Sequence, residues 1–165
     1  MRLSLTAERR IDAPPEAVFA LALDSERFPA LFPGYGPIPA LKRITPLAPP
    51  AVGALRSLEN SDGSKLMERI TELEAPRLHA YTLSGLRAPL AWLAREGHAR
   101  WDFEADRNEG ADATRVRWRY EFELTSPLAW PLAAPLLRGC MRAAMARCLE
   151  RMAQALEGAW RTERR

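Results

Sequence analysis

Residues 114–124 alternate strictly between apolar and charged side chains. Val116, Trp118, Tyr120, Phe122 and Leu124 fall on one side, and Arg115, Arg117, Arg119, Glu121 and Glu123 on the other. One dry face and one wet face mark an antiparallel sheet covered on a single side. Residues 2–11 repeat the pattern, with Leu3, Leu5, Ala7 and Ile11 opposed to Arg2, Ser4, Thr6, Glu8 and Arg10. Residues 97–105 repeat it again, with Ala99, Trp101 and Phe103 against His98, Arg100, Asp102 and Glu104. Four more runs read as strands: 38–46, 52–60, 64–74 and 76–84. Turn signals separate them. Asn60-Ser61-Asp62-Gly63 is a hairpin turn, Ala75-Pro76 divides the next pair, and a polar turn from Arg107 to Asp112 divides the last two strands.

Helical spacing occurs in three places. In 14–23, Val18, Phe19 and Ala22 share a face, Pro14 or Pro15 suits the first turn, and Asp12 is placed to accept hydrogen bonds from the first free N–H groups. Asp24 or Ser25 can cap a second short helix that runs to Leu31 and stops at Pro33-Gly34. From about residue 132 to 160, Leu137, Met141, Met145, Cys148, Met152, Leu156 and Trp160 form a stripe three to four residues apart, with Arg138, Arg142, Arg147, Glu150 and Arg151 largely off it. The order is strand, two short helices, six strands, one long helix. The expected class is α+β: a curved antiparallel sheet of about seven strands wrapped around the long C-terminal helix, which covers its dry face.

The 165 residues suffice for one domain, 1–165, with a real core. Net charge is only +3, and acids are interleaved with a basic set that is nearly all arginine, the lysines being Lys42 and Lys65. No dense basic run precedes the last five residues, so a nucleic-acid partner is not expected. Cys140 and Cys148 on one helix lie about 12 Å apart along its axis, too far for a disulfide. Met1 leads straight into a strand rather than a signal peptide, and free thiols fit a reducing cytosol, so a cytoplasmic location is expected. No apolar run reaches the roughly 20 residues of a membrane span. The two histidines, His79 and His98, lie on different strands without HExxH spacing or paired cysteine ligands, so neither a metal nor another cofactor is expected. Gly-rich phosphate loops, a nucleophile elbow and a Cys/His pair suited to thiol catalysis are also missing from the sequence.

Two segments carry a family resemblance. The first is Ile11-Asp12-Ala13-Pro14-Pro15-Glu16-Ala17-Val18-Phe19, followed by Asp24, Phe28, Leu31 and Pro33. The second is Glu68-Arg69-Ile70-Thr71-Glu72-Leu73-Glu74-Ala75-Pro76-Arg77-Leu78. With the element order, they resemble the SRPBCC superfamily, whose helix-grip fold includes START lipid-transfer domains, birch-pollen-allergen-like proteins and polyketide cyclases; the polyketide cyclase/dehydrase group is the nearest likeness. The resemblance implies a cavity between sheet and long helix that takes a hydrophobic or amphipathic small molecule. It does not extend to the iron site of the ring-hydroxylating relatives, whose closely spaced ligands this chain lacks.

A small-molecule pocket is usually roughly 300–1,000 Å³, apolar, with a few placed polar groups. Trp101, Phe103, Trp118 and Tyr120 offer broad faces, Tyr81 a phenol, and Leu137, Met141 and Met145 a soft wall; each is equally a core residue. Glu68 shares parity with Leu66 and Ile70, which sets it apart from the wet-face carboxylates Glu72, Asp102 and Glu104. His79 shares a face with Tyr81, whereas His98 falls on the wet face beside Arg100. Residues 85–95 are apolar yet fit no strand. Pro89-Leu90-Ala91-Trp92 recurs as Pro127-Leu128-Ala129-Trp130. Either this is a coincidence of an Ala- and Leu-rich chain, or Leu90, Trp92 and Trp130 rim the pocket as a lid that touches membrane. Three functions remain open: a carrier for a lipid, quinone or polyketide-like molecule; a metal-free cyclase or dehydratase using the same cavity; and a protein-interaction module. The expected partner is a hydrophobic small molecule, with transient membrane contact at the lid and a monomeric or homodimeric state.

Overall fold

The computed structural model describes residues 1–106 and 112–163. Seven strands, β1 (Arg2–Ile11), β2 (Leu41–Pro46), β3 (Leu55–Asn60), β4 (Lys65–Glu74), β5 (Leu78–Ser84), β6 (Ala94–Asp106) and β7 (Ala113–Leu124), form one antiparallel sheet in the order β1-β7-β6-β5-β4-β3-β2. The first strand pairs with the last, so β7 lies between two partners. Its Tyr120 sits opposite Leu5 on one side and Ala99 on the other, and Trp101 sits opposite Trp118. Parity then decides the faces as expected. Val116, Trp118, Tyr120, Phe122 and Leu124 are all buried. Outward residues form cross-strand ion pairs, such as Arg117 with Glu8 at 2.7 Å and Arg100 with Glu72 at 3.1 Å. The polar turn expected at 107–112 lies, but for Asp112, outside the described residues.

Helix α1 (Pro15–Leu23) buries Val18, Phe19, Leu21 and Ala22. Its N-cap is Pro14, not Asp12, and no side chain caps it. Pro15 has no N–H to satisfy, the first bonds run from Ala17 and Val18 to the Pro14 carbonyl, and the Asp12 carboxylate pairs with Arg10 instead. Asp24 does cap the next turn: its Oδ1 accepts from the N–H groups of Glu26 and Arg27, both at 2.9 Å. The second short helix is a single 3₁₀ turn, Phe28–Leu31. Beyond it the chain doubles back at Gly34, where φ is +67° and an added Cβ would stand 2.3 Å from the Ile38 carbonyl oxygen; only glycine fits.

The apolar segment 85–95 contains a one-turn helix, α2 (Leu90–Leu93). The long C-terminal helix is not uniform. It runs as α3 (Trp130–Pro135), a π turn (Leu136–Met141) and α4 (Arg142–Glu163). Pro135, inside the helical path, lacks an N–H and breaks the regular ladder where the path widens. Met145, Cys148, Leu149 and Met152 on α4 are fully buried against the sheet. There the core contains the stacked Trp101 and Trp118 rings, 4.0 Å between centroids, and the edge-on Phe19–Phe103 pair at 5.4 Å. Each such buried side chain contributes about 1.5–3 kcal/mol. No helix among the described residues is long and apolar enough to cross a membrane.

Candidate functional site

The packing is not complete at one end of the grip. A cavity of about 150 Å³ opens between the inner faces of β2–β7, the 3₁₀ turn and the π turn. Aromatic rings dominate its wall: Phe28, Phe32, Tyr81, Trp101, Trp118, Tyr120 and Phe122. Its exposed rim is formed by Pro37, Asp62, Arg87, Ala88 and Pro89. A cavity of roughly 150 Å³ holds a benzene-sized guest, and a ligand filling a typical pocket of 300 Å³ or more would protrude.

Of the residues singled out from sequence, Glu68, Tyr81, Trp101, Trp118, Tyr120 and Met141 line this cavity, and Leu90 stands at its edge. Phe103, Leu137 and Met145 are buried in the surrounding core without facing it. Trp92 and Trp130 also do not line it; they lie on the outside, 72% and 37% exposed.

The polar content of the wall is concentrated on β3, β4, β5 and β7. Arg56 on β3 lies directly opposite Glu68 on β4. The guanidinium donates to Glu68 Oε1 from Nε at 2.7 Å, its second terminal nitrogen stands 2.6 Å from the same oxygen, and its first donates to the Leu23 carbonyl at 3.3 Å. Both side chains are almost fully buried. Burial pushes the Glu68 carboxyl above its ordinary range, and the adjacent Arg56 charge offsets part of that shift. The Tyr81 and Tyr120 hydroxyls meet at 3.1 Å, and burial raises both phenols above their usual range. One proton of that pair is therefore free to point elsewhere.

His79 is the most informative group. It is 1% exposed, its ring lies 5.1 Å from that of Tyr81, and among the described residues neither Nδ1 nor Nε2 has a hydrogen-bond partner. Burial, with a smaller push from the Arg56 charge, lowers its pKa to about 3. The imidazole is neutral at physiological pH and presents one donor and one acceptor to the cavity. The Trp118 indole N–H is a further buried donor without a partner. Buried polar atoms are nearly always satisfied, so three orphans around one cavity mark a place where polar atoms of a guest would be met.

One group of side chains has ligating atoms close enough for a metal: Glu96, His98 and Glu123, all within 4.8 Å. They are half-buried, and strand parity turns them to the outer face of the sheet, away from the cavity. Among the described residues no such group lies in the cavity itself.

A family model described as polyketide cyclase / dehydrase and lipid transport matches residues 2–157. No curated protein sequence matches the chain. Solved structures do. The protein TTHA0849 from Thermus thermophilus is 20% identical with a TM-score of 0.69, over 95% of this chain and 99% of that one. Norcoclaurine synthase from Thalictrum flavum, solved in complex with dopamine and hydroxybenzaldehyde, is 15% identical with a TM-score of 0.67, over 95% and 88%. The di-domain ARO/CYC protein BexL from the BE-7585A biosynthetic pathway is 16% identical with a TM-score of 0.71; 94% of this chain matches 50% of that one. At these identities the likeness is one of fold.

Proposed function

Because the chain belongs to the polyketide cyclase / dehydrase and lipid transport family, in the SRPBCC superfamily of helix-grip proteins, we propose that it is a cytosolic carrier for a neutral, ring-bearing small molecule whose hydroxyl or carbonyl end is held inside the cavity. The observation that carries this reading is His79, a neutral imidazole with both nitrogens unpartnered at a cavity wall. A ligand hydroxyl can donate a hydrogen bond to the bare ring nitrogen and accept one from the Tyr81–Tyr120 pair. Aromatic walls then stack on its ring. The same wall disfavours an anion. The charge of Arg56 is already paired with the Glu68 carboxylate, so a ligand carboxylate would enter a low-dielectric site whose buried cation, among the described residues, is shared with a carboxylate.

Titration calorimetry with 2-naphthol and 2-naphthoate at pH 7.5 tests the reading. The expected result is naphthol binding at least tenfold tighter. Naphthoate binding equally or more tightly would reverse the assignment of a neutral ligand.

A second reading is supported by Glu68. A buried carboxyl lifted above its ordinary range and lining the cavity is suited to move a proton in a cyclase or dehydratase reaction. His79, with a pKa of about 3, is too weak a base at neutral pH for that role. Turnover of a poly-β-carbonyl compound that disappears in Glu68→Gln would establish catalysis.

A further inference from the structure

Of the exposed large apolar side chains among the described residues, Met1, Tyr35, Leu47 and Val52 are scattered over loops and just ahead of β1, and the other four lie together. Trp92, Leu128, Trp130 and Leu132, all 37–89% exposed, sit on α2, α3 and the turn before α3. Helices α2 and α3 pack on each other, and the Thr125 hydroxyl donates to the Trp92 carbonyl at 2.7 Å, fastening the two segments together. The patch continues inward. Leu90, two residues before Trp92, lines the cavity, and so does Leu136, one helical turn after Leu132. The same short helical segments thus supply both the exposed apolar patch and part of the cavity lining.

The charge on these segments is one-sided. Residues 85–95 and 125–149 contain five arginines (87, 95, 138, 142 and 147) and no aspartate or glutamate. The Arg138 guanidinium lies 5.7 Å from the centre of the Trp130 ring, which places a cation inside the patch. The neighbouring carboxylates are engaged or turned aside. Asp62, on the exposed rim, keeps its carboxylate ionised through hydrogen bonds from Ser64 and has the Arg87 charge beside it, so those two rim charges offset each other; Glu96 and Glu123 belong to the outer face of the sheet. A second copy of this chain would meet arginine with arginine, and a folded protein partner would ask for a rim of mixed charge. Tryptophan and leucine with an excess of arginine is the composition that suits the headgroup layer of an anionic bilayer.

We propose that this face docks on an anionic lipid surface, with the cavity mouth turned toward the lipid. The docking face is separate from the cavity wall and stands whatever the cavity holds. Each arginine near an anionic surface contributes about fivefold to binding, so Arg95 and Arg138 together predict a preference of roughly 25-fold for anionic over neutral vesicles.

Co-sedimentation of the full chain with phosphatidylcholine vesicles, and with vesicles of phosphatidylcholine and phosphatidylglycerol at 3:1, reads this directly. Wild type should favour the anionic vesicles by one to two orders of magnitude and lose that preference in 0.5 M salt. Trp92→Ser with Trp130→Ser should weaken anionic binding at least tenfold, and Arg95→Gln with Arg138→Gln by a similar factor. All four side chains lie outside the cavity wall, so both variants should retain the wild-type affinity for 2-naphthol in solution, which reports an intact fold. Equal binding to both vesicle types, or unchanged vesicle binding in the tryptophan variant, would overturn the proposal. So would a dimer that dissociates on the tryptophan substitutions while no vesicle is bound.

Discussion

Replacing His79 with leucine should make the ligand-free protein more stable. The imidazole is buried with two unpartnered nitrogens, and a buried polar atom without a partner costs about 1–3 kcal/mol. Leucine removes both atoms, has a similar volume, and faces a cavity that can absorb small differences in shape. A gain of about 1–3 kcal/mol is expected at pH 7.5. The difference should widen in acid, and the sign is fixed by the direction of the shift. The unfolded chain protonates His79 near pH 6.5 and the folded protein only near 3. Between those values the unfolded state binds more protons, so the wild type loses stability as pH falls, at up to about 1.4 kcal/mol per unit. Leucine has no such site. From pH 7.5 to 5.0 the titration spans about 1.5 units below the unfolded pKa, which widens the difference between the two proteins by about 2 kcal/mol. Urea unfolding followed by tryptophan fluorescence at both pH values measures it. A leucine variant less stable than wild type by more than about 1 kcal/mol at pH 7.5 would refute the reasoning. So would a difference that does not change with pH. A stabilised variant that no longer binds a ligand is what a group retained for recognition rather than folding predicts.

Arg56→Met leaves the buried Glu68 without its guanidinium and should cost about 3–5 kcal/mol, whereas Arg56→Met combined with Glu68→Leu should recover most of it; thermal unfolding of the single and double variants compares them. Gly34→Ala forces a Cβ against the Ile38 carbonyl at positive φ and should cost about 1–3 kcal/mol in chemical denaturation, with no gain from any new contact. Tyr81→Phe removes one of two paired hydroxyls and should cost about 0.5–1.5 kcal/mol of stability while weakening 2-naphthol in calorimetry.

The sheet was readable because its central strands are amphipathic. In β7 from Arg115 to Leu124 every second residue is apolar and the others are charged, and β1 follows the same apolar–polar alternation except at Arg9, so parity determines the faces; the pairing of first with last strand is seen only in the structure. The site was less readable, for the opposite reason. Glu68 stands out between Leu66 and Ile70. Arg56 does not, because Leu55-Arg56-Ser57-Leu58-Glu59-Asn60 carries two polar residues and one apolar residue on either parity. His79 sits in Leu78-His79-Ala80-Tyr81, a run apolar on both parities in a strand buried on most positions. Phe103 and Trp101 alternate on the same face of β6, yet only Trp101 reaches the cavity, because Phe103 packs edge-on against Phe19 of α1. The prolines before the C-terminal helix read as punctuation at its start. Tertiary packing instead carries the helical path across Pro135 and pays in a π turn. The Pro-Leu-Ala-Trp repeat showed two similar one-turn starts, and the sequence had no means of telling a lid from an outer apron.

The most direct test is the imidazole of His79 observed by ¹⁵N NMR while 2-naphthol is added at pH 7.5. A neutral single tautomer in the free protein, with one ring-nitrogen resonance moving in a one-to-one titration, is the predicted result. An imidazole already protonated at pH 5, or a saturating naphthol titration that leaves both ring nitrogens where they were, would contradict it.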